Sequence, residues 1–483
     1  MTFNAMRDAA LCCAAGALAL LPSRANAGGL YFSDRGVRPL ARAGAFVAGA
    51  DDLGAIWYNP AGLADAGTSF MLDASWLNFS ADFSRRSRVV DSGGTVRTYD
   101  FPKVTGTTPF LPIPTIGFSY NFGDLRKGER NKPWTFAMGV YAPYTAITSF
   151  PTTADNQPAP SRYSLVSLDG SLLIIVGAYL AYKPNPQLAF GVGVSALVGT
   201  FQSQVVFNTN PSDRTLSAPE DPAYDSLSQL KVGPIFSPSA NAGVTWTPEP
   251  HVRLGLSGQL PYWVNAPATV SVKLPSAAPF DNASQQGNDA RVKFRLPPIV
   301  RLGIEARPIP ALRVELSYAH EFWSMHDTID VVPQNIALVN VTGFPSPFPI
   351  GKITLARNFQ DSNSVHLGGE GHADFLRGAY GLDIRAGVAF EQSAIPTAFL
   401  SPLTVDMNKV TVAIGGAIHI GPHWRFDLSY AHLFAFDTEV SPAEAAIGRV
   451  NPVHGNPVPV EAVNGGLYSA RADVLGVGLN YRF

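Results

Sequence analysis

The chain has 483 residues, 46% of them hydrophobic and only 15% charged, with 44 Gly and 40 Pro. So many helix breakers exclude an architecture of long helices, and the charged share lies well below the roughly 25% of ordinary soluble domains. With 35 basic and 37 acidic residues the net charge is −2, which removes the electrostatic case for nucleic-acid binding.

The N-terminus reads as an export signal. Arg7 precedes an apolar stretch from Ala9 to Leu21, followed by Pro22 and the small-x-small run Ala25-Asn26-Ala27, the order of a secretory signal peptide. Residues 1–27 are expected to be removed, and Cys12 and Cys13 go with them. The mature chain then carries no thiol, disulfide or cysteine-based metal site. Lipid attachment at Cys12 is the alternative, although Leu11 is bulky where a small residue is needed. Export without cysteine fits a Gram-negative envelope protein, yet no run reaches the ~18 apolar residues of a spanning helix.

Residues 28–67 lack strand alternation and are rich in Gly and Ala, as in Ala43 to Asp52 and Trp57 to Ala64. About forty residues are too few to fold alone. Such a segment is best stabilised inside a larger shell.

From residue 68 to the end, period-two alternation recurs, the signal of a strand with one apolar face. Ile116, Phe118, Tyr120 and Phe122 interleave with small or polar residues, as do Leu475, Val477, Leu479, Tyr481 and Phe483. Strands are expected near 68–83, 114–122, 134–144, 169–182, 188–206, 231–247, 251–273, 291–306, 311–332, 362–376, 380–392, 408–420, 423–440 and 468–483. The connections alternate between long segments and turns such as Pro248-Glu249-Pro250 and Gly421-Pro422. Long loops on one side and tight turns on the other are the habit of an up-and-down barrel through a membrane, and a spanning sheet must close because unpaired backbone cannot face lipid. The expected fold is all-β, an antiparallel transmembrane barrel of about 14 strands with residues 28–67 as a hatch plugging the lumen of a barrel formed by 68–483. A large secreted all-β protein with a soluble core is the alternative. The terminal Phe483 resembles the signal read by the outer-membrane barrel assembly machinery.

The segment before the barrel carries a family resemblance. Arg42-Ala43-Gly44-Ala45-Phe46, Ala50-Asp51-Asp52 and Asn59-Pro60-Ala61, followed by fourteen strands and the terminal Phe, resemble the FadL/TodX-type outer-membrane transporters of long-chain fatty acids and aromatic hydrocarbons. The resemblance implies a monomer in the Gram-negative outer membrane. It also implies that a hydrophobic molecule is captured by extracellular loops, passes to a pocket in the upper barrel and leaves sideways into outer-membrane lipid beside the hatch. Asn59, Pro60 and Ala61 would lie next to that opening; a simple Asn-Pro turn is the plainer reading. A third-strand kink shapes the opening in the family, and Gly139 and Pro143 are the residues here able to support one.

Candidates for capture are Phe110, Leu111 and Ile113 in the first long loop, Tyr141, Tyr144 and Phe150 at the second, and Tyr224, Leu227 and Leu230 in the third, where 225–230 is expected as a short amphipathic helix. Leu30, Tyr31 and Phe32 are candidates to reach the pocket from the mature N-terminus. For each loop side chain, taken singly, membrane anchoring or loop packing is the plainer reading.

Catalysis finds no support. ELSYAHEF at 315–322 and DLSYAHLF at 427–434 place Ser317 and His320, and Ser429 and His432, three apart. On a strand such pairs face opposite ways. Glu315, Asp427, Arg313 and Arg425 fall on the inward face and are expected to form a charge network under the hatch. His419 and His423 straddle a turn, and no spacing suggests a metal or a cofactor. The reading is a passive transporter of hydrophobic molecules and not an enzyme. The alternatives are a diffusion porin for polar solutes and a barrel-embedded lipid hydrolase.

Overall fold

A computed structural model of the chain describes residues 36–90, 95–109, 112–123, 133–143, 148–210, 220–453 and 462–483. Fourteen strands form one closed antiparallel barrel. They are β1 (Ser69–Val90), β2 (Pro112–Asn121), β3 (Trp134–Tyr141), β4 (Leu172–Asn185), β5 (Leu188–Asn208), β6 (Asp225–Glu249) and β7, which comprises Val252–Gln259 and Tyr262–Lys273. Then follow β8 (Asp289–Leu296 and Ile299–Ile309), β9 (Leu312–Glu321), β10 (Ser362–Phe375), β11 (Tyr380–Glu391), β12 (Lys409–Ile420), β13 (Trp424–Ala435) and β14 (Gly466–Arg482). Each strand pairs with its sequence neighbour, and β14 returns to β1 in an unbroken register from Ser69↔Arg482 to Arg85↔Gly466. The sheet therefore has no lateral edge, which satisfies the backbone in a bilayer.

The alternation read from the sequence sets which face is wet. On β2, Ile116 and Phe118 point outward while Thr115 and Ser119 are buried inside; on β12 and β13, Val412, Ile414, Ile418, Phe426 and Leu428 are exposed outside. An outward apolar band and a small or polar inner face are what lipid on one side and a packed lumen on the other require. Long connections gather at one end. The other end carries short turns, both the start of β1 and the end of β14.

Residues 225–230, expected as a helix, are instead the first turn-free stretch of β6, paired on both sides, with β5 from Asp225↔Asn208 and with β7 from Leu227↔Lys273. Two ladders and the alternating burial of Ser226 and Ser228 outweigh a local helical pattern six residues long. Only a 3-10 turn, Pro222–Tyr224, precedes it, capped by the Asp221 carboxylate accepting from Ala223 N.

Residues 36–68 lie against the inner faces of the strands. They form helix α1 (Val37–Leu40), helix α2 (Ala55–Tyr58) and a 3-10 helix (Pro60–Asp65), and Val37 to Ala50 are buried throughout. Small residues make this possible. Among them Ala41, Ala43, Ala45, Ala48 and Ala50 are fully enclosed, so backbone approaches the wall closely.

Candidate functional site

The N-terminal segment is held to one side of the wall by charge. Alternate residues of a strand share a face, which aims Arg313 and Glu315 of β9 inward together. Glu315 accepts backbone N–H bonds from Val47 (2.6 Å), Ala48 (2.9 Å) and Gly49 (2.8 Å), and Arg42 reaches it at 3.2 Å. Arg313 donates to Gly49 O and to Asp51, both at 2.6 Å. Arg38 is bonded to Asp51 (2.6 Å), Asp52 (2.9 Å) and Glu370 of β10 (2.7 Å), while Arg425 of β13 meets Asp52 at 2.8 Å. Arg385 of β11 closes the ring by bonding Glu370 and Asp427. Successive N–H groups converging on one carboxylate form an anion-binding concavity, so Glu315 fixes the loop 47–49 by geometry as well as charge.

The opposite side of the segment is held by shape, by Asn59, and by Lys183 of β4 and Arg253 of β7, which both pair with Asp65. This fully buried side chain accepts from Ala61 N (3.1 Å), capping the Pro60–Asp65 turn, and donates to Val47 O (3.0 Å) and to Val244 O of β6 (3.2 Å). An N-cap Asn followed by Pro at the first position is a strong helix start. Gly191 of β5 lets this turn touch the wall, since a Cβ there would sit 2.2 Å from Pro60 C. Asn241 of β6 donates to Ile56 O at 3.2 Å.

Immediately beyond Asn241 the wall changes. Pairing of β6 with β7 runs from Trp246↔Leu254 to Asn241↔Gln259 and resumes at Val232↔Ala268 in the same register. Residues 233–240 and 260–267 between these points make no ladder; Leu260 N to Ala240 O is the one backbone bond at the lower end. Since the register is unchanged, the strands bow apart rather than slip. Pro234, Pro238, Pro261 and Pro267 lie in this stretch, and each removes a donor from the sheet. Side chains bridge the slit instead: Ser237 Oγ donates to Trp263 O (2.9 Å) and Ser239 Oγ to Leu260 O (2.8 Å). Ile235, Tyr262 and Val264 form its inner, apolar lining, and Tyr262 is hydrogen-bonded to Ser195 at 3.0 Å.

Three cavities surround the slit. Above it an apolar pocket of about 80 Å³ is lined by Leu173, Phe201, Leu230, Phe294, Leu296, Ile329, Leu355 and Leu403, with Arg357 as its one charged residue. On the lipid side an apolar recess of about 880 Å³ lies against the slit's lower end, where Ala178, Ala240, Ala242 and Gly258 leave room between Leu180, Val194, Leu260 and Val300. Below the N-terminal segment a cavity of about 560 Å³ is charged, with Arg38, Asp51, Asp52, Asp65, Lys183, Arg253 and Arg425 in its walls.

The expected site residues fall in several places. Asn59, Pro60 and Ala61 pack on β4, β5 and β6 beside the slit. Gly139 lies on β3 against Ile56, but β3 is paired along both edges and Pro143 follows its end. Among the described residues the ladder between β6 and β7 is interrupted over 233–240 and 260–267. Leu230 lines the upper pocket, Tyr141 packs edge-on to Trp57, Phe150 is buried in the same core, and Ile113, Tyr224 and Leu227 pack in separate apolar clusters. Leu30, Tyr31, Phe32, Phe110, Leu111, Tyr144 and the signal segment lie outside the described residues. Among the described residues, His372, Asp383 and His419 from three adjacent strands bring possible metal-ligand atoms within 4.8 Å of one another. Arg385 also bonds the Asp383 carboxylate, so the group reads as a hydrogen-bonded bridge across β10, β11 and β12.

A closed fourteen-stranded barrel, filled below by its own N-terminal segment and carrying an apolar pocket above it, defines an outer-membrane transport protein. Residues 18–483 match the family described as "Outer membrane protein transport protein (OMPP1/FadL/TodX)", and the chain belongs to it. The family is one of channel-type transporters in the outer membrane and not of enzymes. Among solved structures, a Pseudomonas aeruginosa FadL homologue is 15% identical with a TM-score of 0.69, covering 94% of this chain and 100% of that one. The P. putida toluene transporter TodX is 16% identical with a TM-score of 0.59 over 92% and 98%, and the Ralstonia pickettii toluene transporter TbuX 15% with 0.57 over 93% and 99%. At these identities the likeness speaks for the fold. A putative outer membrane protein of Neisseria meningitidis is 26% identical over 133 residues, so the match spans 27% of this chain and 26% of that curated relative.

Proposed function

We propose that this protein takes up hydrophobic molecules passively, holds them in the upper pocket and releases them sideways through the β6–β7 slit into the outer membrane. The contrast between the two exits from the pocket carries this reading. Downward lie residues 36–68 and a cavity walled by ionised side chains; sideways lie Ile235, Tyr262, Val264 and the apolar recess. Each CH₂ kept out of water is worth about 0.8 kcal/mol, so an apolar solute follows the second path downhill without an energy source. Residues 28–67 act as the hatch that closes the polar route, which disfavours a diffusion porin. Phe483 serves targeting to the assembly machinery, with its backbone N–H joined to Thr68 O at 2.9 Å.

Proteoliposomes containing the full mature chain separate these readings. They should take up an apolar dye or toluene faster than protein-free vesicles while excluding a sugar of similar size. Equal permeability to the sugar would establish a porin and overturn the transporter reading.

A further inference from the structure

We propose that His372, Asp383 and His419 form a site for a divalent transition-metal ion such as Zn²⁺ at the short-turn end of the barrel, with Asp374 or water as the fourth ligand. The register brings the donors together from three strands. His372 of β10 stands opposite Asp383 of β11, and His419 of β12 stands opposite Gly381, which shares the inward face of Asp383. Gly381 leaves the space between them open: a Cβ there would lie 2.9 Å from His372 Cε1, 3.2 Å from His419 Cβ and 3.5 Å from Asp374 Oδ1. Two imidazoles and a second carboxylate thus converge over one glycine, where both rings are in part open to water.

His372 carries the sign that a cation belongs here. Its Nδ1 lies 2.6 Å from Asp383 Oδ1 and its Nε2 3.2 Å from Asp374 Oδ1. A neutral imidazole has one N–H, so with a carboxylate oxygen on each nitrogen one contact needs a further cation, either a second proton or a metal ion. His419 Nε2 meets the other oxygen of Asp383 at 2.9 Å. The spacing suits the metal. Ligand atoms on a tetrahedral ion lie about 3.3 Å apart, and two imidazoles on it have ring centres about 5 Å apart. Here the two rings stand 5.4 Å apart at 86°. One ligand atom from each of the three residues lies within 4.8 Å of the others, so closure takes shifts of about 1.5 Å. Arg385 also bonds Asp383 but divides its guanidinium among Glu370, Asp427 and Asp383, which leaves Asp383 anionic character for an ion. A set of imidazole and carboxylate selects Zn²⁺, Ni²⁺ or Cu²⁺ over Mg²⁺ and Ca²⁺. Occupancy ties the ends of β10, β11 and β12 together beneath the Glu370 that holds Arg38.

The test titrates ZnCl₂ by calorimetry into the full mature chain in detergent at pH 7.5, made without a polyhistidine tag and stripped with a chelator. The wild type should bind one equivalent with micromolar affinity or tighter, in the presence of excess Mg²⁺. His372→Ala and His419→Ala should each weaken binding at least about tenfold, since each removes one of three protein ligands. Gly381→Val, which keeps every ligand but fills the space between them, should weaken it as well. His423→Ala, whose ring is bonded to Arg482 O, should leave it unchanged. Heat-modifiability gels check that each variant keeps the closed barrel. X-ray absorption at the zinc edge needs no variant and should count two imidazoles on the ion in the wild type. A wild type that binds no Zn²⁺ in excess Mg²⁺ overturns the proposal and leaves a proton as the bridging cation. A zinc spectrum with fewer than two imidazoles overturns it too, as does full affinity in the double variant His372→Ala/His419→Ala.

Discussion

The two sides of the barrel hold the same N-terminal segment by opposite means. From β8 to β13 the wall presents Glu305, Arg313, Glu315, Glu370, Arg385, Arg425 and Asp427; all but Arg385 and Asp427, which brace the others, reach a charged or backbone group of residues 38–52. From β4 to β7 it presents Gly191, the backbone of Val244, and four prolines with eight residues of missing ladder on each strand, and its charge is confined to Lys183 and Arg253, which both pair with Asp65. One side is an anchor with directional, buried charge. The other is a close steric contact, with ion pairs only at Asp65, beside a weakened seam. The difference teaches where motion costs least: opening the seam breaks two serine bonds and one backbone bond, whereas tilting the segment off the anchor leaves buried charges unpaired.

Breaking the anchor should have the largest effect. Glu315→Ala strips three backbone N–H groups and Arg42 of their acceptor, and breaking a buried pair costs about 3–5 kcal/mol. A lower melting temperature and a rise in ion conductance across planar bilayers are expected. On the smooth side, Gly191→Leu drives a side chain into Pro60, an overpacking worth about 1–3 kcal/mol. Proteolytic cleavage within 36–68 should then be faster, with the barrel itself still closed on heat-modifiability gels. Ser237→Ala combined with Ser239→Ala removes two bridges worth about 1 kcal/mol each. Release of an apolar dye from protein to bilayer should speed up while bilayer conductance stays at the wild-type level.

The smallest effect lies in the loops. Burial alone would raise the Glu220 carboxyl, but Arg85 and Arg162 hold it below its ordinary 4.5. A depressed carboxyl stabilises fully above its unfolded value and loses that stabilisation as pH falls through the folded one. Protection factors for hydrogen exchange around 159–166 and 220–225, corrected for the intrinsic pH dependence of amide exchange, should therefore hold from pH 7 to about 5 and fall only below about 4. Arg162, bonded to Asp225 at 2.7 Å, is the group expected to loosen with it.

The barrel was legible because its signal is local. Alternation such as Ile116 to Phe122 fixes a strand and its lipid face without any knowledge of partners, and long and short connections order the strands. Inward placement of Arg313, Glu315, Arg425 and Asp427 followed from the same parity. What each inward charge meets was not legible, because Glu315 and Val47 are 268 positions apart. The slit left a trace in Pro234, Pro238, Pro261 and Pro267, a signal open to anyone asking why two central strands carry so many residues without donors. The helix expected at 225–230 failed because pairing across β5 and β7 overrides a six-residue pattern.

Sideways release on the proline side is the central claim, and filling the outer recess tests it most directly. Ala242→Trp puts a bulky side chain into the recess from β6, and Val412→Trp puts the same side chain into lipid from β12, on the anchored side. Initial uptake of an apolar probe into proteoliposomes should fall at least about tenfold in Ala242→Trp, the effect of ~1.4 kcal/mol on the exit step, and stay at the wild-type rate in Val412→Trp. Equal rates in the two variants would contradict the account and return the exit to another part of the wall.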